Sequence, residues 1–215
     1  MVDLFMRERS ALTPRPTHFP LQIPMRITVP DASELAAFEA MHEEAGFNHP
    51  HVGASVVGLP EGWPSARVAQ EVGHGAAVFE RACAAVDHWQ AFDQEWLRLS
   101  PPRVPPEPGD PITFASRQLG FWMLHPCRIV EVIDDRGADR WFHAIAYGTL
   151  DGHVLAGEER IGVAWDRGTD AVAVEILSFF RPGHPISAVT GPVTRASQAR
   201  FRARAIPLLA AAARG

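Results

Sequence analysis

Five segments between residues 112 and 180 constrain the fold of this chain most strongly, because only short turns separate most of them. Little helix separates these segments, which we interpret as β-strands. The turns at 134–137, 151–152 and 166–168 are only a few residues long. A parallel crossover needs a dozen or more residues, so neighbouring segments are expected to pair antiparallel. The predicted strands cover residues 112–119, 127–133, 141–150, 154–165 and 171–180.

Helical patterns stand on both sides of these strands. A strand pattern at 66–72 precedes apolar residues at helical spacing from Phe79 to Trp96, which predict one long helix or two shorter ones. A second helical pattern begins near Pro192 and is expected to bend or end at Pro207. This order predicts an α+β helix-grip fold, in which a curved antiparallel sheet wraps around the C-terminal helix and leaves a hollow between them. The alternative is an ordinary α+β sandwich with a fully packed core.

The first 45 residues differ from the rest in composition. Five prolines between Pro14 and Pro30 disfavour helices and central strands, so residues 1 to about 30 are expected to form an extended arm. Asp31 and Glu34 then predict a short capped helix. We therefore expect a Pro-rich arm with a short helix over residues 1–45 and a helix-grip domain over residues 46–215. Alternating apolar residues in the arm are consistent with packing along the domain, or along a partner subunit in a homo-oligomer, and the equal alternative is a disordered arm.

Charge and composition argue against several classes of function. The formal net charge of −5 disfavours a nucleic-acid binder, which needs a basic face. No lysine occurs, which excludes Schiff-base lysine chemistry and a P-loop. Cys83 and Cys127 lie far apart, and no cluster of His, Cys, Asp and Glu has metal-ligand spacing, so no metal or other cofactor is predicted. The absence of a secretory signal and of a membrane-length apolar run favours a cytoplasmic protein.

Glu159 is the position that most needs a functional explanation. It shares strand parity with Ile161, Val163 and Trp165, so its carboxylate is expected on the apolar face of its strand. Its neighbour Glu158 must point to the opposite face. Burying a charge costs several kcal/mol, in order of magnitude, unless the charge is paired or neutralised. The buried carboxylate is therefore expected to meet a cation or a ligand.

Three further residues are predicted to lie near this carboxylate. Arg128 shares parity with Val130 and Val132, and Tyr147 shares parity with apolar residues of its own strand. An Arg–Glu pair with a tyrosine hydroxyl would orient a polar ligand group, while the alternative is a structural ion pair without a ligand. His153, beside a glycine at a turn, could cap a carbonyl or reach the cavity mouth as an acid–base group.

The leading functional hypothesis is the binding of a small apolar or amphipathic molecule in the hollow. The second hypothesis is an enzyme that acts on such a ligand, with Glu159 or His153 as general base and Arg128 stabilising negative charge. The third is a protein-interaction module without a ligand, whose arm docks on a partner. The aromatic residues expected to line the hollow are Trp89, Phe92, Trp141 and Trp165.

Six motifs also occur in the order found in one known family. They are Val52–Ser55; Val72–Gly75 with Phe79, Ala82 and Trp89; Leu119–Trp122 with Pro126–Val130; Tyr147–Leu150 with Gly152, His153 and Gly157–Glu159; Ser178–Pro182 with His184 and Pro185; and Gly191–Pro192 with Gln198 and Phe201. In these motifs the chain resembles the bacterial and plant proteins grouped as domain of unknown function 1990, which are placed near the START and Bet v 1 helix-grip proteins. The resemblance covers roughly residues 46–205. It implies a helix-grip fold with a cavity for an apolar or amphipathic ligand, and it implies no particular reaction.

Overall fold

The computed structural model describes residues 25–184 and 191–215, and within them the predicted helix-grip fold is confirmed. An antiparallel sheet of eight strands curls around a long C-terminal helix. The strands are β1 Met25–Arg26, β2 Ser65–His74, β3 Leu97–Leu99, β4 Pro111–Gln118, β5 Phe121–Arg136, β6 Arg140–Thr149, β7 Leu155–Asp166 and β8 Ala171–Pro182. The helices are α1 Ala32–Met41, α2 Ala54–Val57, α3 Ala76–Asp87 and α4 Gly191–Arg214, with a 3₁₀ turn at Gln90–Phe92.

The strand order along the sheet is β2-β8-β7-β6-β5-β4-β3. The short strand β1 pairs with Trp122 and Met123 of β5, at a part of β5 that lies beyond the end of β6. The last residues of the predicted arm therefore add a strand to the sheet of their own chain. Residues 1–24, which include most of that arm, lie outside the described residues. The division of the chain at residue 45 and the homo-oligomer formed through the arm stay predictions.

The main core lies between one face of the sheet and helices α3 and α4. Phe201, Ala205 and Leu209 follow one another at intervals of four along α4, so they form a single apolar stripe that faces the sheet. The helix does not end at Pro207 but continues to Arg214. Nowhere in the described ranges does a helix combine the length and the apolar character needed to span a membrane.

The opposite face of the sheet is partly covered by the segment that precedes β2. Helix α1 begins with the predicted capping box: the Asp31 carboxylate accepts a hydrogen bond from the Glu34 N–H, and the Glu34 side chain accepts one from the Asp31 N–H. Leu35 and Phe38 then pack on β4 and β5 in a second apolar cluster. The sheet is therefore sandwiched between the core helices and this outer segment.

The structure differs from one long helix over Phe79–Trp96, and it extends the second predicted strand towards the first. The α-helix in this region ends at Asp87 rather than continuing to Trp96. Trp89 has a left-handed backbone conformation, with φ of 56°, which cannot continue a right-handed helix. Residues 121–124, which lie between the first two predicted strands, begin β5. They follow a tight turn at 119–120, where both residues have positive φ.

Candidate functional site

A cavity of about 280 Å³ lies between the sheet and the first half of α4. This volume is just below the range of ~300–1,000 Å³ that is usual for small-molecule pockets. Most of the wall is apolar and comes from β4, β5, the 3₁₀ turn and α4. The polar side chains in the wall are Ser116, Gln118, His125, Tyr147, Thr149, His153, Glu159, Thr194, Ser197 and Gln198.

Tyr147 and Glu159 face each other across β6 and β7 and form a buried polar pair in the cavity wall. The Tyr147 hydroxyl donates a hydrogen bond of 2.5 Å to Glu159 Oε1. Burial raises the pKa of Glu159 to about 7, although the hydrogen bond from Tyr147 and the positive charge of Arg202 oppose this rise. Burial and the neighbouring carboxylate raise the pKa of Tyr147 well above its usual value. Near neutral pH, Glu159 therefore exchanges between its neutral and ionised forms beside a protonated tyrosine.

Arg128 does not reach Glu159, so the predicted ion pair is wrong. Its guanidinium group donates three hydrogen bonds to backbone carbonyls in residues 42–45, after α1, on the outer side of the sheet. The parity argument failed because β5 contains a bulge at residues 129–131. A bulge inserts one residue and reverses which face the following side chains occupy. Val132 therefore packs against the main core while Arg128 points away from it, and a role for this arginine in the cavity is excluded.

His153 lies in the cavity wall together with a second histidine, His125, whose ring centroid is 4.9 Å away. Burial lowers the pKa of His125 to about 4, and burial together with His125 lowers the pKa of His153 well below its usual value. Both rings are therefore neutral at pH 7. Nδ1 of His153 lies 2.8 Å from the backbone nitrogen and 3.1 Å from the backbone oxygen of Leu155, so both of its contacts are with the same residue. His125 Nε2 lies 2.8 Å from Ser116 Oγ, whereas its buried Nδ1 has no hydrogen-bond partner in residues 25–184 and 191–215.

The four aromatic residues predicted to line the hollow lie at different positions along the sheet. Phe92 lies in the cavity wall as expected. Trp89 is buried behind it, with its ring centroid 5.8 Å from that of Phe92 and 5.9 Å from that of Tyr147. Trp141 and Trp165 pack against each other at the other end of β6 and β7. They share the inner face with Tyr147, but six residues of strand correspond to roughly 20 Å, so the prediction that they line the cavity was wrong.

Sequence reasoning missed the side chains that β4 and β5 contribute to the wall. Phe114 and Ser116 of β4 and Met123 and His125 of β5 lie on the same inner face. Strand alternation could have identified them, because Cys127, two residues after His125, shares their face. Their relative position depends on the tight turn at 119–120, which was not predicted from the sequence.

Cys127 also belongs to the wall, where it stays a neutral thiol. Burial and the charge of Glu159 raise its pKa well above the usual value, which makes it a poor nucleophile. In the part of the chain that the structure describes, no group of three or more His, Cys, Asp or Glu side chains is placed to hold a metal ion. The chemistry available in the cavity is therefore that of one carboxyl group, one phenol, one neutral thiol, two neutral imidazoles and several hydroxyl and amide groups.

Comparison with known proteins connects this architecture to a family. A UPF0548 protein of Dictyostelium discoideum is 36% identical over 138 residues, which is 61% of this chain and 64% of that protein, so the chain spans slightly less than two thirds of that relative. A UPF0548 protein of Deinococcus radiodurans is 32% identical over 184 residues, covering 80% of this chain and 89% of that protein.

One solved structure has a similar fold, and the sequence model of one family matches most of the chain. The crystal structure of a protein from Nitrosomonas europaea has a similar fold, with 11% identity, a TM-score of 0.43, and coverage of 69% of this chain and 92% of that chain. The sequence model of the family described as domain of unknown function (DUF1990) matches residues 48–207, which is well over half of the sequence. This chain therefore belongs to the DUF1990 family.

Proposed function

We propose that this protein binds a small apolar or amphipathic molecule in the cavity between the sheet and α4. The observation that carries the proposal is a mostly apolar cavity of about 280 Å³ with a single buried carboxyl group, that of Glu159, among the polar groups of its wall. Protein interiors are close-packed, and voids larger than a water molecule are few. A space of this size, with a few polar groups in an apolar wall, has the composition of a small-molecule site.

The wall favours a ligand whose polar group is neutral or positively charged. Among the described residues that line the cavity there is no arginine, and His125 and His153 are neutral at pH 7. A carboxylate or sulfonate would therefore lose its hydration without gaining a counter-charge, and it would approach the Glu159 carboxylate. A hydroxyl or amine group could instead donate a hydrogen bond to the second carboxyl oxygen of Glu159.

Two fluorescent probes with the same aromatic body test this preference. N-phenyl-1-naphthylamine is neutral, whereas 1-anilinonaphthalene-8-sulfonate carries a negative charge. At pH 8, where Glu159 is mostly ionised, we expect the Kd of the neutral probe to be at least about tenfold lower, which corresponds to about 1.4 kcal/mol. Fluorescence titration measures both values. Equal or tighter binding of the sulfonate would contradict the proposed ligand class.

A substitution on α4 tests whether the probe occupies this cavity. Ser197 lies in the cavity wall, so Ser197→Phe should fill part of the space and raise the Kd of the neutral probe at least about tenfold. Ala199 is exposed on the same helix, and Ala199→Phe is therefore the matched control, with an unchanged Kd. Thermal unfolding should show that both variants remain folded. Equal affinities of the two variants would place the probe elsewhere.

General acid–base catalysis on the bound molecule is a second candidate function. The observation that favours it is the pKa of Glu159, which burial raises to about 7, since a catalytic acid or base is most effective when its pKa lies near the working pH. Small molecules extracted from the wild type and from Glu159→Gln distinguish the two functions. A catalyst should carry chemically different molecules in the two preparations, because the variant cannot complete the reaction. A binding protein should carry the same molecule, in a smaller amount in the variant.

A further inference from the structure

A recess of about 480 Å³ lies on the outer face of the sheet, and we propose that it binds the phosphoryl group of a small organic phosphate. Three arginine side chains, Arg67, Arg140 and Arg160, line the recess. They project from β2, β6 and β7, on the face of the sheet opposite the cavity described above. This site is independent of the proposed cavity ligand.

One carboxylate faces these three cations inside the recess. Glu175 is almost fully buried, and its Oε2 accepts a hydrogen bond of 2.7 Å from Arg67 Nη2 while its Oε1 accepts one of 2.7 Å from Arg160 Nη2. Burial alone would raise the pKa of Glu175, but the hydrogen bonds and charges of the two arginines lower it, so this carboxylate is ionised at neutral pH. Three positive charges against one negative charge leave the lining of the recess with an excess of positive charge.

Arg140 and Arg160 both lie over the ring of Phe142, with their guanidinium carbons 4.9 Å and 5.1 Å from the ring centroid. Like charges gathered at one ring repel each other, and a bound anion would remove this repulsion. Within residues 25–184 and 191–215 the Arg140 guanidinium makes no hydrogen bond, whereas Arg160 donates from Nη1 to the Ser55 carbonyl and from Nη2 to Glu175 and has only its buried Nε without a partner. The carboxylate of Asp166, the strand partner of Arg140, accepts hydrogen bonds from the backbone N–H groups of residues 168 and 169, and these bonds together with the charge of Arg140 lower its pKa.

The arginine side chains and the apolar side chains that line the recess together indicate the class of ligand. Guanidinium groups bind phosphate through paired, charge-assisted hydrogen bonds, and a phosphate dianion matches an excess of two positive charges better than a carboxylate does. Val56, Leu59 and Leu177 add apolar surface to the same recess, and Leu59 is 41% exposed. A phosphate monoester with an apolar or aromatic body would contact both parts.

Isothermal titration calorimetry with phenyl phosphate tests the proposal, and phenol serves as the uncharged comparison. We expect the wild type to bind phenyl phosphate. Any phenol that binds in the cavity between the sheet and α4 should bind equally to the wild type and to Arg140→Gln, because that cavity lies on the other face of the sheet. Arg140→Gln removes a cation that makes no hydrogen bond in the described fold, so the variant should remain folded and bind phenyl phosphate at least about tenfold more weakly. Arg117→Gln, which removes an exposed arginine of β4, is the matched control and should bind as the wild type does.

The same titrations can overturn the proposal. The proposal is wrong if the wild type does not bind phenyl phosphate at millimolar concentration. Unchanged affinity in Arg140→Gln, or an equal loss in Arg117→Gln, would show that the recess does not hold the phosphoryl group. Circular dichroism of each variant establishes that a loss of binding does not come from unfolding.

Discussion

Replacing Glu158 with alanine should lower the free energy of unfolding by about 3–5 kcal/mol, the range typical of breaking a buried charged interaction. Glu158 is fully buried, and its carboxylate accepts hydrogen bonds from the backbone N–H groups of Gly53, at 2.6 Å, and Ser55, at 2.9 Å. The side chain thereby attaches the outer segment around α2 to β7. Alanine would leave both donors buried without an acceptor and would create a void. Urea denaturation at pH 7 measures the change.

Glu61→Ala is the matched control for this experiment, because Glu61 is exposed on the same outer segment. We expect the control to change the free energy of unfolding by less than about 0.5 kcal/mol, as is usual for surface substitutions. A loss below about 1 kcal/mol in Glu158→Ala would contradict the view that this carboxylate holds the outer segment on the sheet.

Replacing Glu159 with glutamine should increase the free energy of unfolding relative to that of the wild type as the pH rises from 5 to 8. The pKa of Glu159 is about 7 in the folded protein and 4.5 in its ordinary state, so between these values the folded state binds more protons than the unfolded state. Stability falls with rising pH wherever the folded state binds more protons. The contribution of Glu159 to the free energy of unfolding therefore decreases by about 2–3 kcal/mol between pH 5 and pH 8. Glutamine does not titrate and escapes this loss.

Denaturation of both proteins at pH 5 and pH 8 measures this effect. The free energy of unfolding of Glu159→Gln minus that of the wild type should rise by about 2–3 kcal/mol over this interval. Titration of His125 and His153 is common to the two proteins, so its contribution largely cancels in the difference. A difference that does not change with pH would show that Glu159 ionises as an exposed carboxyl group does. Under the binding proposal, the same variant should also retain less of a bound ligand while it remains folded.

The two adjacent glutamates show which parts of the structure could be predicted from the sequence. Strand alternation correctly assigned Glu158 and Glu159 to opposite faces, because both lie within one uninterrupted strand, β7. The order of strands and helices and the short turns were likewise sufficient to predict the helix-grip fold. Each of these inferences uses only residues that are close together in the sequence.

The errors arose where a site depends on more than local alternation. Arg128 was assigned to the wrong face because the bulge in β5 has no marker in the sequence. Trp141 and Trp165 were assigned to the correct face but lie at the wrong end of their strands, since parity carries no information about distance along a strand. Strand alternation could have assigned His125 to the inner face, but its position beside Ser116 depends on the pairing of β4 with β5. Long-range pairing and strand irregularities thus decided the composition of the candidate site.

Native mass spectrometry of the purified protein, followed by extraction of any bound molecule, tests the central claim most directly. We expect the wild type and the control Ala199→Phe to carry a small neutral or cationic molecule, and Ser197→Phe to carry none. A wild-type protein that shows only the mass of its polypeptide, and that also fails to take up N-phenyl-1-naphthylamine, would contradict the claim that the cavity between the sheet and α4 binds a ligand.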